Sequence, residues 1–302
     1  MRVLDADAVM ALGPAGAVRA ITDALKGGLD PSADVPRIPV DLASGQFLLM
    51  PSEGLAAAGV KVVTVAPDNP TLGLPRIQAS YLLFERSTLA LQAVLDGTAL
   101  TTLRTPAVSV AAVLDRLPDR PLRVAVVGAG PQATGHVATL AAFRTLTSTA
   151  YLVRDPARTP LDALSLGSAA ADEALRTADV VVCATSARSP VFDSSLLLED
   201  AVVIAVGSHE PEARELDAAL LGRAVVVVED VDAALREAGD VVLAIADGAL
   251  GADDLVPMRE LVTGAVPVPE DRPLVFKSVG MSWQDLVVAA AIVQQAEADG
   301  RG

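Results

Sequence analysis

At 302 residues, the chain is long enough for about two domains, and its 52% hydrophobic content supplies material for sizeable cores and argues against disorder. The formal net charge of −15 argues against nucleic-acid partners and anionic membrane surfaces, since both need basic patches. The charge is uneven: residues 1–118 carry 9 Lys and Arg against 11 Asp and Glu, and the rest carry 14 against 27. Cations in the first part are therefore less neutralised and better able to hold an anion.

The single cysteine, Cys183, excludes a disulfide framework and a thiolate zinc site. It lies in a strand-like apolar run, which indicates a buried residue rather than a nucleophile. Asp5 and Asp7 occupy the place where a signal peptide would need an apolar segment, and the longest aliphatic run, 286–293, is too short to span a bilayer. We expect a soluble, cytoplasmic protein that binds no metal, membrane or nucleic acid.

The first part of the chain changes from helical to strand periodicity. Apolar residues recur at helical spacing over 5–27, and from residue 37 the period becomes two. Short strands of an antiparallel meander are expected near 37–42, 46–50, 59–66, 77–84 and 88–95. A helix is expected over 98–117, interrupted at Thr105-Pro106, where threonine would cap a new helix that begins at the proline.

The stretch 122–136, LRVAVVGAGPQATGH, has the pattern of a dinucleotide-binding turn. A buried strand over 124–127 runs into Gly128-x-Gly130-x-x-Ala133, and a helical pattern follows through about residue 144. Gly128 permits the tight turn, Gly130 lets backbone N–H groups approach a pyrophosphate, and Ala133 is small enough to keep the helix close to the strand. Glycines can serve turn geometry alone, but the order of strand, turn and helix favours a cofactor.

Strands and helices alternate in the rest of the chain. Strands are expected at 149–153, 179–184, 201–206, 224–228 and 273–277, with helices at 168–177, 210–221 and 231–238. This alternation predicts an α/β fold with a doubly wound parallel sheet, a Rossmann architecture. A final amphipathic helix is expected over 282–298.

The end of the second strand in this part indicates which nicotinamide cofactor binds. An NAD site usually has an acidic residue there, on the ribose 2′-hydroxyl, whereas this strand ends in Arg154. A guanidinium suits a 2′-phosphate, since it can pair with the dianion in two hydrogen bonds. Asp155 follows one residue late and could still turn inward. NADP(H) is therefore favoured, and NAD(H) stays possible.

Seven motifs follow one another along the chain: Arg37-Ile-Pro with Gly45 and Met50-Pro51, Gly59-Val-Lys61-Val-Val-Thr, Asn69-Pro-x-x-Gly-Leu-Pro75, Leu95-Asp-Gly-Thr-x-Leu-Thr-x-x-Arg104-Thr, Gly128-Ala-Gly-x-Gln132-Ala, Val206-Gly-Ser-x-x-Pro211 with Glu215-Leu-Asp217, and Phe276-Lys-Ser-Val-Gly280. From about residue 37 to the last helix, the chain resembles the ornithine cyclodeaminase/mu-crystallin family. The resemblance implies a homodimer and chemistry on a small α-amino or α-imino acid.

The resemblance also implies the domain organisation. Residues 1–118 plus 281–302 would form a discontinuous α+β domain for substrate binding and dimerisation, and residues 119–280 the Rossmann NAD(P)-binding domain. Besides Gly128, Gly130 and Arg154, the cofactor residues are expected in the shared motifs and after the strand 179–184: Thr105, Pro131, Gln132, Thr185, Ser186, Val206, Ser278 and Gly280.

Three cations match those that bind the substrate carboxylate in this family: Arg37, Lys61 and Arg104. The residues support this independently, because cations in apolar stretches are expensive to bury unless they share an anion. Arginine's fork matches a carboxylate in two parallel hydrogen bonds, and lysine adds a point charge or a proton donor. Each cation alone would more simply be a surface or salt-bridged residue.

Two positions depart from the cyclodeaminase pattern. His209 stands where those enzymes carry an aspartate that acts on the substrate amine, and Arg76 stands where a small hydroxyl residue is more common near the substrate. The missing aspartate makes ornithine chemistry doubtful. His209 is either a proton donor or a polar lid residue. His136 is expected to be partly exposed, Trp283 to be core, and Asp217 to fix loop geometry.

The sequence thus predicts an NAD(P)H-dependent reduction of the C=N bond of a small cyclic imino acid of the Δ1-pyrroline-2-carboxylate or Δ1-piperideine-2-carboxylate type. Arg37, Arg104 and Arg76 would bind the substrate, Lys61 would both bind it and protonate it, and His209 is the second catalytic candidate. Three alternatives remain: an alanine-dehydrogenase-like oxidoreductase, ornithine cyclodeaminase forming L-proline and ammonia, and a non-catalytic mu-crystallin-like binding protein. Ring size, reaction direction and pathway are left open.

Overall fold

A computed structural model describes residues 1–267 and 269–300. The chain divides into two compact units: the first contains residues 1–108 and the segment that begins at Met281, and the second contains residues 109–280. Residue 268 of the expected Rossmann domain and residues 301–302 of the expected substrate domain lie outside the described residues.

The described residues contain α-helices with the following bounds: α1 Ala6–Met10, α2 Gly13–Lys26, α3 Gly97–Val113, α4 Pro131–Ala141, α5 Ala169–Thr177, α6 Ala218–Arg223, α7 Val231–Glu237, α8 Gly239–Ala246, α9 Met258–Val262 and α10 Ser282–Ala298. Their strands are β1 Arg2–Leu4, β2 Ile38–Leu42, β3 Gly45–Glu53, β4 Ala57–Val65, β5 Ile77–Glu85, β6 Leu91–Asp96, β7 Leu122–Val127, β8 Leu146–Val153, β9 Ala163–Ser165, β10 Val180–Cys183, β11 Val202–Ala205, β12 Val225–Val228, β13 Leu255–Pro257 and β14 Leu274–Lys277.

The first unit is built on a sheet with the strand order β1-β6-β5-β4-β3-β2. Strands β2 to β6 form the expected antiparallel meander, and β1 adds to it in parallel beside β6. Helix α10 packs on β3, β4 and β5 and also on α2. The period of two in β4 turns Ala57, Gly59 and Lys61 toward the buried face, so a lysine lies among core residues.

Two helix predictions for the first 118 residues are wrong. The helix expected over 5–27 is two helices, α1 and α2, and Gly13 at the start of the second has a φ of +69°, a left-handed conformation that interrupts the helical path. The helix expected to break at Thr105-Pro106 continues as α3, with Pro106 in its interior. Residues 103–113 are all buried, and this burial outweighs the roughly 3 kcal/mol that an interior proline costs.

The second unit contains a parallel sheet with the order β13-β12-β14-β11-β10-β7-β8-β9. Its central strands β10, β11, β12 and β14 are buried along their whole length, as expected when helices cover both faces of a sheet. From β7, the chain adds β8 and β9 on one side of the sheet and then crosses over to add β10 and β11 on the other side. The strand order therefore reverses between β7 and β10. Ligands of such sheets bind at this reversal, outside the carboxyl ends of the strands. The predicted α/β class with a doubly wound sheet is confirmed.

One helix prediction in the second unit is also wrong, because the helix expected over 210–221 is only α6. Side-chain carboxylates accept hydrogen bonds from backbone N–H groups just before α6 and in its first turn. Asp240 accepts those of Glu215 and Leu216 at 2.7 and 2.8 Å, and Asp217 accepts that of Leu220 at 2.8 Å as the N-cap. The strands β1, β9 and β13 and the helices α8 and α9 were not predicted.

Among the described residues, no helix is both long and apolar enough to cross a bilayer. Nor does that part of the chain hold a group of three or more His, Cys, Asp or Glu residues arranged for a metal ion.

Candidate active site

The glycine turn lies at the carboxyl end of β7, at the reversal of the strand order. Gly128 has a φ of +124°, and a Cβ there would come within 2.6 Å of the Ala184 carbonyl oxygen, so both conformation and space require glycine. Gly130 is the N-cap of α4, and a Cβ on it would meet no atom within 4 Å. The absence of a side chain at Gly130 thus leaves space beside the start of α4, the end of a helix whose N–H groups favour an anion.

A cavity of about 680 Å³ opens beside this turn, within the size range of small-molecule and cofactor sites. Its lining includes Gly128, the end of β8 with Arg154, and the segment after β10 with Thr185, Ser186 and Arg188. Arg154 is exposed, whereas Asp155 accepts a hydrogen bond from Ala157 N–H at 3.1 Å and caps the following turn. The glycine geometry, the helix N-terminus and the polar lining fit a nicotinamide dinucleotide.

Glu215 joins the two loops that follow β10 and β11. Its Oε1 atom accepts hydrogen bonds from the N–H and the hydroxyl of Thr185 at 2.8 and 2.7 Å, and its Oε2 atom accepts from Gly207 N–H at 2.7 Å. The side chain is fully buried, and this burial raises the pKa of Glu215. The wall of the cavity at Thr185 is thus fixed to the segment 206–217 by a single carboxylate.

A buried ion pair lies next to Glu215, because Asp240 accepts the backbone N–H of Glu215 and pairs with Lys277. The Oδ2 atom of Asp240 lies 3.0 Å from Lys277 Nζ, and that ammonium also donates a hydrogen bond of 2.6 Å to the Ser208 carbonyl oxygen. Asp240 is fully buried and Lys277 is 1% exposed. These groups connect α8 and β14 to the loop that carries His209, which is itself exposed.

The segment after β14 is held by another buried carboxylate, Glu229. It accepts hydrogen bonds from the Ser278 hydroxyl at 2.7 Å, from Val279 N–H at 2.8 Å and from Gly280 N–H at 3.1 Å. Ser278 and Gly280, both expected at the cofactor, are therefore in a rigid, buried segment.

The other expected cofactor residues differ in exposure. Pro131 and Gln132 begin α4, with the proline exposed and the glutamine half-buried, and Val206 is half-buried directly after β11. Thr105 belongs to the first unit and is buried in the middle of α3.

In the first unit, two of the three predicted carboxylate-binding cations meet at one buried acid. Lys61 Nζ lies 2.7 Å from Asp285 Oδ2, and Arg104 Nε lies 3.1 Å from Asp285 Oδ1. Arg104 Nη1 also donates a hydrogen bond of 2.6 Å to Gln284 Oε1. Lys61 and Arg104 are 2% and 5% exposed, and Asp285 is fully buried.

The electrostatics of Lys61 follow from these neighbours. Burial lowers the pKa of Lys61 from 10.5 to about 8, with Arg104 and Arg37 acting in the same direction and Asp285 opposing them. Arg37 is half-buried just before β2 and thus adds to the positive field at Lys61. Lys61 and Arg104 together carry two buried positive charges and share the one carboxylate of Asp285. Arg76 is exposed, directly before β5.

Further polar groups lie where the start of α10 packs on the sheet of the first unit. Asp34 accepts hydrogen bonds from the Ser52 hydroxyl at 2.7 Å and from Trp283 N–H at 2.9 Å, and burial raises its pKa. Tyr81, opposite Lys61 in the sheet, is fully buried, and burial together with Asp285 and Asp34 keeps its phenol pKa well above 10. Trp283 is a core residue, as predicted.

The predicted exposure of His136 is wrong, since this side chain is fully buried in α4. One ring nitrogen lies 2.7 Å from the Gln132 carbonyl oxygen and the other 2.9 Å from Ser109 Oγ. Burial lowers the pKa of His136 to about 4, so the ring is neutral near pH 7. Cys183 is buried as predicted, and Asp217 caps α6 and binds Ser194, which is the geometric role expected of it.

Sequence reasoning gave no role to the buried groups that hold the site residues: Asp285, Gln284, Glu229, Asp240 and Lys277. Lys277 carried a usable signal, a charge at the end of an apolar strand. Asp285 carried less, because an acidic residue in the first turn of a helix is common without any buried partner.

Known proteins resemble this chain over most of its length. A sequence profile of the ornithine cyclodeaminase/mu-crystallin family matches residues 15–300. The chain is 34% identical over 266 residues to ketimine reductase mu-crystallin from Mus musculus, covering 84% of this chain and 82% of that protein. It is 33% identical over 270 residues to a Δ1-pyrroline-2-carboxylate reductase from Bacillus cereus, with 84% and 83% covered.

A solved structure resembles nearly the whole chain. It is the Thermococcus litoralis Δ1-pyrroline-2-carboxylate reductase in complex with NADH and L-proline, with a TM-score of 0.87 and 26% identity over 99% of this chain and 98% of that one. The sequence profile, the relatives and this structure agree. The chain belongs to the ornithine cyclodeaminase/mu-crystallin family.

Proposed function

We propose that this chain reduces the C=N bond of a small cyclic imino acid, of the Δ1-pyrroline-2-carboxylate or Δ1-piperideine-2-carboxylate type, to the L-amino acid. The observation that carries the proposal is the buried surplus of positive charge at Lys61 and Arg104, which share a single carboxylate. A buried surplus of this kind is stabilised by a bound anion, and a small carboxylate supplies one.

The enzyme class rests on broader support than the substrate. The chain is an NAD(P)-dependent oxidoreductase, since its fold contains a dinucleotide turn and its relatives at 33–34% identity are reductases. The substrate type is inferred from those relatives together with the cation cluster. The relative solved with NADH and L-proline supports both a nicotinamide cofactor and a cyclic amino acid product.

In the proposed reaction, Arg104 and Arg37 bind the substrate carboxylate and Lys61 faces the same anion. Fixing the carboxylate orients the imine carbon, and orientation of this kind can remove several kcal/mol from a barrier. When bound, a dihydronicotinamide supplies the hydride. As the imine carbon accepts it, the π electrons of the C=N bond move to nitrogen, which takes a proton from Lys61 or from a water held by His209.

The alternatives have weaker support. Alanine-dehydrogenase-like chemistry uses the same carboxylate grip, but the relatives at 33–34% identity are named as reductases of ketimines and of Δ1-pyrroline-2-carboxylate. Ornithine cyclodeamination is opposed by His209 at the position of the aspartate of those enzymes. A pure binding protein would not need the glycine turn together with the cation cluster.

We propose NADP(H) as the preferred cofactor, with NAD(H) also possible. Arg154 lies exposed on the cavity wall at the end of β8, where a 2′-phosphate is recognised, while Asp155 is engaged in capping a turn. We also propose that the protein is a homodimer and is cytoplasmic.

The test is a matrix of substrates and cofactors. The purified chain is incubated with NADPH or NADH and, separately, with a cyclic imino acid, with pyruvate plus ammonia, and with L-ornithine, and both cofactor oxidation and product are measured. We expect fastest turnover of the cyclic imino acid with NADPH. Conversion of ornithine to proline without net cofactor consumption would refute the proposal, and no turnover of any substrate would favour a binding protein.

A further inference from the structure

We propose that Asp285 is a positioning residue of the substrate site, where its two oxygens hold the Lys61 ammonium and the Arg104 guanidinium in one fixed arrangement for a shared anion. This inference rests on the proposed function, because it concerns how that site is assembled. It assigns a role to α10 that neither the motifs nor the similarity to other proteins supplied.

The geometry is that of a bridge. Lys61 comes from β4, Arg104 from α3 and Asp285 from the first turn of α10, so three distant parts of the chain meet at one carboxylate. Each oxygen serves one cation, at 2.7 Å for Lys61 and 3.1 Å for Arg104. Bonds to ionised partners are about twice as strong as neutral ones, and two of them fix both cations.

The neighbouring groups show why a carboxylate is needed there. Lys61 faces Asp285 from α10, Arg104 from α3, Arg37 from the segment before β2 and Tyr81 from β5, and its ammonium also lies 3.4 Å from Thr101 Oγ1. The carboxylate of Asp34 raises the pKa of Tyr81. Without Asp285, Lys61 would face two guanidinium groups with no anion between them until substrate binds.

The helix fixes the carboxylate in turn. Gln284, the preceding residue, accepts a hydrogen bond from Arg104 Nη1 at 2.6 Å, so Arg104 binds two consecutive residues of α10. Asp34 accepts the N–H of Trp283 at 2.9 Å and fixes the start of the same helix. The bridge therefore has little freedom to move, as positioning of a substrate requires.

Asp285 also affects the proton supply. Asp285 raises the pKa of Lys61 against the effect of burial, so loss of its charge lowers that pKa further below about 8. Activity that needs protonated Lys61 falls as the pH rises through this pKa. The basic limb of the pH profile should therefore move to lower pH when Asp285 becomes neutral.

The test compares Asp285→Asn with the unmodified chain. Steady-state reduction of the cyclic imino acid is measured over pH 6–10, and binding of pyrrole-2-carboxylate, a planar acid that cannot be reduced, is measured by calorimetry over the same range. We expect the basic limb of kcat/KM to move to lower pH by about one unit or more, and binding of the acid to weaken with the same shift.

The matched control is Asp34→Asn. This variant makes the same substitution in a carboxylate from the segment before β2, which contacts the start of the same helix through Trp283 and binds Ser52 rather than the cations. It should lower stability without moving the limb. Asp285→Glu keeps the charge and displaces it, so the limb should return toward that of the unmodified chain while KM stays raised.

Two results would overturn the inference. One is an unchanged limb and unchanged acid binding in Asp285→Asn, and the other is an equal shift in Asp34→Asn. If Asp285→Asn does not fold, Asp285→Glu decides, because a KM and acid affinity equal to those of the unmodified chain would contradict a positioning role. Failure of the proposed function is recognised separately, since the unmodified chain would then reduce no cyclic imino acid although acid binding still reports on Asp285.

Discussion

The tertiary surroundings of His136 determine both its burial and its pKa. The residue lies on α4 directly after the glycine turn, with both ring nitrogens engaged and no exposed surface. The Gln132 carbonyl oxygen can only accept, so the ring nitrogen that faces it already donates; protonation would turn the nitrogen that faces Ser109 into a second donor and place a charge in the core. Burial accordingly holds its pKa at about 4.

This pKa predicts a loss of stability in acid. Between the unfolded value of 6.5 and the folded value of about 4, the unfolded chain binds a proton that the folded chain refuses, so the free energy of unfolding falls as pH falls. The contribution lost from pH 7 to pH 5 is about 2 kcal/mol. Urea unfolding of the chain and of His136→Asn at both pH values measures it as a difference.

The variant cannot be protonated, so its stability should depend less on pH than that of the unmodified chain. His209→Asn is the control for the substitution itself, because it replaces the other histidine of the chain at an exposed position. Equal pH dependence of His136→Asn and the unmodified chain would contradict the assignment.

At Lys61 and Arg104 the prediction of the cations was right, but their shared partner Asp285 was not foreseen. The two cations were predicted from the family resemblance, with the cost of burying charge in apolar stretches as supporting reasoning, and both are buried. Their mutual partner was not predicted, because nothing local to residue 285 distinguishes it from a solvent-exposed acid in a first turn.

At the scale of elements, the loops at the carboxyl edge of the parallel sheet are braced by carboxylates from other elements. Glu215 ties the loop after β10 to the loop after β11, and Glu229 holds the segment after β14. Loops that line a cavity are otherwise the most mobile parts of a fold. Buried acceptors that each hold several N–H groups keep these loops in one conformation.

We predict that Glu215→Gln weakens cofactor binding. An amide has one acceptor oxygen in place of two, so at least one of the donors from Thr185 and Gly207 is left buried and unsatisfied, at about 1–3 kcal/mol. The dissociation constant of NADPH, measured by fluorescence titration, should rise about tenfold or more.

Glu212→Gln is the matched control, because it makes the same change three residues away on an exposed side chain of the same loop. It should bind NADPH like the unmodified chain. An unchanged dissociation constant in Glu215→Gln, with only the melting temperature lowered, would show that the brace serves stability alone.

At the scale of the whole molecule, the edge of the first unit's sheet leaves apolar side chains uncovered. Val40 on β2 lies opposite Phe47 on β3, and they are 39% and 38% exposed. Ile38 and Leu42 share the face of β2 with Val40 and are 46% and 42% exposed. Contiguous apolar exposure of this kind is typical of an interface between subunits.

We therefore predict that the protein is a dimer and that Phe47→Asp weakens it. A buried, unpaired carboxylate at the interface would favour the separated subunits. Sedimentation of the unmodified chain should give a dimer at micromolar concentration and a monomer–dimer mixture for the variant. Leu235→Asp is the control, since Leu235 is also 38% exposed but lies in the second unit. A monomeric unmodified chain would refute the prediction.

The sequence by itself determined the fold class, the glycine turn and most strands of both sheets. These depend on local patterns, namely the period of two in β3 to β5, the all-apolar runs of β10 to β12, and the steric needs of Gly128. It also determined the family, because the motifs of that family are themselves local.

Only the tertiary structure decided what each buried charge contacts. The bridge between Lys61 and Arg104 joins residues 224 and 181 positions away from Asp285, and the brace at Glu215 joins loops that are 30 and 8 positions away. It likewise decided that α3 continues through Pro106 and that the chain over 210–217 is not helical. In each case, contacts with distant residues outweighed the local preference of the backbone, and no local pattern reports such contacts.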